Sequence, residues 1–288
     1  MSSNMYLKLG FEQLGKVVDK ETVSSFRSII ENYSNSGIDF PLDPEFCLQD
    51  EDILKIAFTP RLLSELRQKF HPDFVMFPDI EVQYNLIGGL TSRDGKFDGW
   101  HVDSGSEGRK KYLMDENYGF AKVGIYFQDN TDMYGGGVDL VPASHRFIGF
   151  GSVRFRFLIK KVVEKFRIIF DAKKIRTEAG DALFFDSRVQ HRSSRVEKKE
   201  INENNQKFQS NDFVSLPKGK EKIVVYFDIA YPNSCHGFWS NAKRRAQSED
   251  PTERRHFKGY TNSNGNLNLF MEHAKSADVK TILDLVDE

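Results

Sequence analysis

Cysteine is nearly absent. The 288 residues hold two, Cys47 and Cys235, far apart and in no metal-ligand spacing. A disulfide scaffold and a Cys-based zinc site are therefore excluded as organising principles. Long apolar runs are also missing, none approaching the roughly 20 residues of a membrane span. The first residues, Met1-Ser2-Ser3-Asn4-Met5-Tyr6-Leu7-Lys8, lack the charged-then-apolar order of a signal peptide. Neither sign of charge dominates: 41 Lys and Arg face 42 Asp and Glu, a formal net charge of -1. That balance argues against nucleic acid as the partner. Gly135-Gly136-Gly137 is followed by neither Lys-Ser/Thr nor a helix, so it reads as a turn and not a phosphate loop. A reducing compartment is expected, hence a cytoplasmic protein, soluble or peripheral on the inner face of a membrane.

Core material is plentiful: 39% of residues are apolar and 13% aromatic, with 25 Phe. Glu21 to Tyr33 is expected to be helical, with Val23, Phe26, Ile29 and Ile30 on one face and Asp19 or Thr22 as cap. Thr59-Pro60 reads as a cap and first turn of a second helix carrying Leu62, Leu63, Leu66 and Phe70, stopped at His71-Pro72. After Pro78 the texture becomes strand-like, at 80–86, 122–128, 138–141, 182–185 and 222–227. Residues 197–220 read as a long surface loop and the tail from Asn241 as a partly helical appendage. Helices followed by short strands predict an α+β domain with a sandwich or barrel core. Without a visible boundary, 1–288 is expected to be one domain with its core at about 10–235.

The sharpest chemical signal is Trp100-His101-Val102-Asp103. In a strand, residues two apart share a face, so His101 and Asp103 can offer an imidazole and a carboxylate to one point. His191, which follows the apolar strand at 182–185, is placed to supply a third donor. Two His and one carboxylate on one side of a metal, with the other side open, make the site of non-haem Fe(II) oxygenases. An H-x-D alone is a weak signal, so the flanking motifs decide. Asp139 is a rival carboxylate without an adjacent His.

Those motifs run in order. Val123-Gly-Ile-Tyr-Phe-Gln-Asp129 precedes Gly135-Gly-Gly-Val-Asp-Leu-Val-Pro-Ala-Ser-His145, and Gly180-Asp-Ala-Leu-Phe-Phe185 leads to Gln190-His191-Arg192-Ser193. This order resembles the phytanoyl-CoA dioxygenase (PhyH) family of Fe(II)/2-oxoglutarate oxygenases over roughly residues 10 to 230. The resemblance implies a double-stranded β-helix, a cupin-like jelly roll flanked by helices. It implies Fe(II), 2-oxoglutarate and O2 as cofactors, and His101, Asp103 and His191 as iron ligands. Ser193 would help hold the distal carboxylate of 2-oxoglutarate, and Gln83 would present an amide toward the co-substrate. His145 would be structural. Because the carboxylate ligand is present, hydroxylation rather than halogenation is implied.

Two departures stand out. Ala143 replaces the usual Gly of Pro-Gly-Ser-His. The family's Arg after the distal His is missing, the last core strand opening on Lys220-Glu221-Lys222. Lys220 or Lys222 would replace a bidentate guanidinium by a monodentate ammonium. Arg195 is the competitor, and Lys122 a more remote one. Trp100, Tyr112, Phe120 and Phe184 are expected as apolar walls.

Residues 146–176 form a basic helical insertion, with ten Lys and Arg against Glu164 and Asp171, a local excess of +8. Phe155, Leu158, Ile159, Val162, Val163, Phe166, Ile169 and Phe170 repeat at helical spacing. Such a stripe either packs on the core or meets anionic lipid through 153–170. The expected activity is a 2-oxoglutarate-dependent dioxygenase that hydroxylates a C–H bond of a small or lipid-linked anionic substrate, such as a sugar or glycolipid. The alternatives are a nucleic-acid demethylating oxygenase and a non-catalytic cupin-like metal-binding or sensor protein.

Overall fold

The computed structural model describes residues 5–85, 87–89, 99–103, 118–131, 134–146, 165–168, 170–195, 208–210, 213–234 and 267–286. Two antiparallel sheets face each other, and helices cover the outside of the larger. The major sheet runs β1 (Phe11–Lys16), β8 (Asp181–Asp186), β5 (Phe120–Tyr126), β12 (Lys222–Ala230), β2 (Val75–Met76), β13 (Lys280–Thr281), with β3 (Glu81–Asn85) also paired to β12. Only β13 joins in parallel, to β2. The smaller sheet runs β7 (Lys173–Ile175), β6 (Val138–Leu140), β9 (His191–Ser193).

Alternation along the strands sorts two cores. Ala121, Val123, Ile125, Ala182, Phe184, Ile223, Val225, Phe227 and Ile229 point outward into a helix-covered core. It is shared with α2 (Lys20–Asn35) through Phe26 and Ile30, and with α5 (Pro60–Lys69) through Leu62, Leu63 and Leu66. Phe11, Leu183, Phe185, Tyr126 and Val224 of the major sheet point inward and meet Val138, Leu140 and Ile175 of the smaller one. The inward side is not apolar throughout, and its polar end is where the candidate site lies.

The expected strands are present with shifted ends, and α2 is capped as expected by Asp19, which accepts from Thr22 N. Thr59 does not cap α5: its hydroxyl donates back to Lys55 O and Ile56 O, closing α4 (Glu51–Ala57) instead. The expected loop at 197–220 contains β10 (Phe208–Ser210) and β11 (Phe213–Ser215), and β11 pairs with β4 (Ile87–Gly89). In the tail, α6 (Asn268–Ser276) buries Phe270 and Ala274 in the helix-covered core, and β13 extends the major sheet. That end is therefore packed into the fold rather than appended. Residues 241–266 lie outside the described residues, as do 147–164 of the basic insertion, His236, His256 and Tyr112.

Phe166 and Phe170 lie outside the core, 62% and 67% exposed. Their spacing of four puts them on one helical face, but that face is turned to solvent, and Ile168 is the buried residue of the turn. No helix among the described residues is long and apolar enough to cross a membrane.

Candidate metal centre

His101 and His191 sit opposite each other in an antiparallel bridge: His101 N donates to His191 O at 2.9 Å and His191 N to His101 O at 2.8 Å. Their rings are 4.3 Å apart between centroids. Asp103 is held by its own backbone, its N donating to Ser187 O at 3.0 Å. Its Oδ1 lies 3.3 Å from His191 Nε2 and 3.7 Å from His101 Nε2. One donor atom from each of the three falls within 4.8 Å of the others. Metal bonds of about 2.1 Å at right angles put neighbouring donors about 3 Å apart, so a small inward movement suffices to close around an ion.

The outer contacts favour that use. His101 Nδ1 lies 2.8 Å from Gly99 O and His191 Nδ1 2.9 Å from Val189 O. A carbonyl only accepts, so each Nδ1 carries the proton and each Nε2 presents its lone pair to the centre, the arrangement found at metal-ligating histidines. His191 is buried, whereas the His101 side chain is 57% exposed, leaving the centre open on that side.

Lys122 stands behind the carboxylate. Its Nζ is 3.7 Å from Asp103 Oδ2 and 3.9 Å from Asp228 Oδ1. Burial alone would raise the Asp103 pKa, but the Lys122 ammonium beside it holds the carboxyl well below the usual range. Burial would likewise lower Lys122, but Asp103 and Asp228 hold its ammonium well above the ordinary value. Sequence reasoning had ranked Lys122 as a remote clamp candidate and missed this role. The available signal was a lysine on the inward face of an apolar strand.

Lys222 and Ser193 come together, Nζ to Oγ 3.5 Å. Lys222 is buried, and its pKa is lowered to about 8, by burial first, with Glu81 opposing. The other clamp candidates lie elsewhere. Lys220 is turned over the Tyr134 ring, 5.8 Å from its centroid. Arg195 lines a small cavity with Asn130, Thr131 and Gly135. Gln83 lies on β3 on the inward side and donates from Nε2 to Glu81 Oε1 at 2.9 Å.

Tyr226, also missed, shares that inward face. Lys222 Nζ is 5.8 Å from its ring. Its cross-strand partner is Gly124, where a Cβ would come within 2.8 Å of the Tyr226 ring. Asp139 is no ligand: Arg192 Nε and the Ser194 hydroxyl donate to it at 3.0 and 2.7 Å. Phe184 is no wall of the site, since it packs against Tyr6 and Phe70 on the helix-covered side. His145 is a packing residue wedged against Gly10, where a Cβ would fall 2.4 Å from its Nδ1.

No protein-family profile matches the sequence, and no curated protein matches it. Solved structures do. The non-heme alpha ketoglutarate dependent epimerase SnoN from nogalamycin biosynthesis is 11% identical, with 78% of each chain covered and a TM-score of 0.48. HygX from Streptomyces hygroscopicus, with nickel and 2-oxoglutarate bound, is 16% identical over 78% of this chain and 84% of its own, TM-score 0.48. AviO1 from Streptomyces viridochromogenes Tue57 is 12% identical over 79% and 92%, TM-score 0.48. Likenesses this distant carry no functional argument, which rests on the site itself.

Proposed function

We propose that this protein is an Fe(II)- and 2-oxoglutarate-dependent oxygenase on a cupin-like double-stranded β-helix. The observation that carries the reading is the convergence of one donor atom each from His101, Asp103 and His191 within 4.8 Å, with both Nδ1 atoms committed to backbone carbonyls. The donor set fits a ferrous ion: two neutral imidazoles and one carboxylate on one side, no thiolate, and an open side beyond. Asp103 turns Oδ1 to the two imidazoles while its buried Oδ2 faces Lys122 Nζ at 3.7 Å without a hydrogen bond.

When bound, a ferrous ion with 2-oxoglutarate supplies O2 activation coupled to decarboxylation of the co-substrate to succinate and to oxidation of a substrate C–H bond. His101, Asp103 and His191 would hold the ion. Lys222 and Ser193, close enough to act on one group, would take the distal carboxylate by charge and by hydroxyl donation. Tyr226 shares the strand face with Lys222, and Glu81 and Gln83 supply polar groups on the paired strand β3. Lys122 keeps Asp103 ionised and oriented. Hydroxylation is the proposed outcome, with a small or lipid-linked polar substrate entering from the exposed His101 side.

The test is succinate formation from 2-oxoglutarate with Fe(II) and O2. Turnover should be present in the native protein and lost in His101→Ala and His191→Ala. Metal binding without any succinate, coupled or uncoupled, would instead establish a non-catalytic metal-binding protein.

A further inference from the structure

The exposed pair Phe166 and Phe170 has no role in the site above. The two rings lie against each other, centroids 4.5 Å apart, and stand out to solvent at 62% and 67% exposure. In the same stretch of chain Lys165, Lys173, Lys174 and Arg176 are exposed. Asp171, next to Phe170 in the chain, is engaged by Arg167 Nε at 3.1 Å. Between 165 and 176 the chain carries five Lys and Arg against Asp171 alone, a local excess of +4 on a chain whose total is -1.

An outward aromatic pair with exposed basic residues close by in the chain is the pattern of an interfacial segment: rings enter the acyl boundary while ammonium groups meet anionic headgroups. A second copy of the chain is disfavoured as occupant, because a symmetric contact would press two strongly positive faces together. The patch is also fixed to the fold. Arg167 Nη2 donates to Pro142 O at 2.6 Å, just past β6. In the smaller sheet Lys173 is in register with Leu140, and Leu140 with His191. The basic-aromatic face therefore adjoins the sheet end that carries His191.

We infer that this face seats the protein on an anionic lipid surface and brings the metal-site end of the smaller sheet to the membrane. The docking does not depend on the metal chemistry, so it can fail or stand separately. The test is sedimentation of the full chain with phosphatidylcholine vesicles, with and without roughly one-third phosphatidylserine. The native chain should bind the anionic vesicles, weaken as salt is raised, and bind pure phosphatidylcholine poorly. Phe166→Ser with Phe170→Ser should weaken anionic binding about tenfold or more, with the thermal melt unchanged because both rings are already in water. Lys173→Glu with Lys174→Glu should weaken it independently. Binding that is absent, equal on both vesicles, or indifferent to the Phe pair would overturn the inference. So would a concentration-dependent dimer that the Phe substitutions abolish.

Discussion

Lys122 and Asp103 form an ion pair at 3.7 Å inside the sandwich, so the carboxylate of the candidate triad is charged and oriented before a metal arrives. The same ammonium lies 3.9 Å from Asp228, whose carboxyl is pushed well above the usual range by burial first and by Asp79 next. One lysine thus serves one firmly ionised acid and one that resists ionisation.

Replacing Lys122 by Met should destabilise the metal-free protein. Removing one partner of a fully buried pair costs about 3–5 kcal/mol and of an exposed pair about 1 or less. With side chains 30% and 23% exposed, this pair falls between, at about 2 kcal/mol. A divalent ion should then raise the melting temperature of the variant more than that of the native protein, because it supplies the charge that the ammonium supplied. Urea unfolding and melts with and without Co(II) measure both effects. Equal metal-induced shifts would show that Lys122 and the ion do not share Asp103.

Lys222→Met should raise KM for 2-oxoglutarate by ten- to a hundredfold, roughly the 1.5–3 kcal/mol of a charge-assisted hydrogen bond. Ser193→Ala should raise it about fivefold, as for a neutral hydrogen bond of about 1 kcal/mol. Metal affinity should be unchanged in both. A KM unaffected by Lys222→Met would remove this pair from the co-substrate site and return Lys220 and Arg195 to consideration.

The pH behaviour of Lys222 has a definite sign. Its folded pKa is about 8, against about 10.4 unfolded. Between these values the unfolded chain binds the extra proton, so stability rises with pH across that window. Below pH 8 both states are protonated and the full burial penalty applies. Lys222→Met should therefore be more stable than the native protein at pH 7, by up to about 3 kcal/mol, with the advantage shrinking from pH 8 to 10. Co-substrate affinity should move oppositely, weakening in the native protein as pH climbs through 8. Denaturant midpoints at pH 7 and 10, paired with 2-oxoglutarate titrations, check both; a pH-independent stability difference would contradict the assigned cause.

The triad was legible because its information is local. His101 and Asp103 stand two apart in the sequence, and His191 follows a strand announced by Gly180-Asp181. Ser193 was legible for the same reason, two beyond His191. Lys122 was not, because its role depends on a cross-strand pairing that sets it opposite Asp228, over a hundred residues away. The strands at 208–210 and 213–215 are three residues each and gain definition only by pairing, 208–210 with 213–215 and 213–215 with 87–89. Periodicity found the stripe through Phe166 and Phe170 but not the direction it faces, since period constrains a helix face and not what lies opposite. The tail was misjudged on average composition, although Phe270 and Ala274 stand four apart, the spacing of a packed helix face.

Arg192 ties together the two chain segments that carry the ligands. Its Nε donates to Asp139 Oδ2 at 3.0 Å on β6, and its guanidinium lies over the Trp100 ring, 4.8 Å from the centroid. Trp100 immediately precedes His101, and Arg192 immediately follows His191, so one side chain braces both backbones of the bridge. Trp100→Ala should remove a cation–π contact of about 1–2 kcal/mol and loosen the segment at 99–103. Misplaced ligands commonly cost 10- to 100-fold in metal affinity, and about tenfold is expected here. Trp100→Phe should recover part of the affinity, since a smaller ring still offers a face to the guanidinium. Metal titration followed by Co(II) absorbance separates this from a general loss of stability, because Asp139–Arg192 stays paired in both variants. An unchanged Co(II) affinity in Trp100→Ala would mean that the backbone bridge alone aligns His101 with His191.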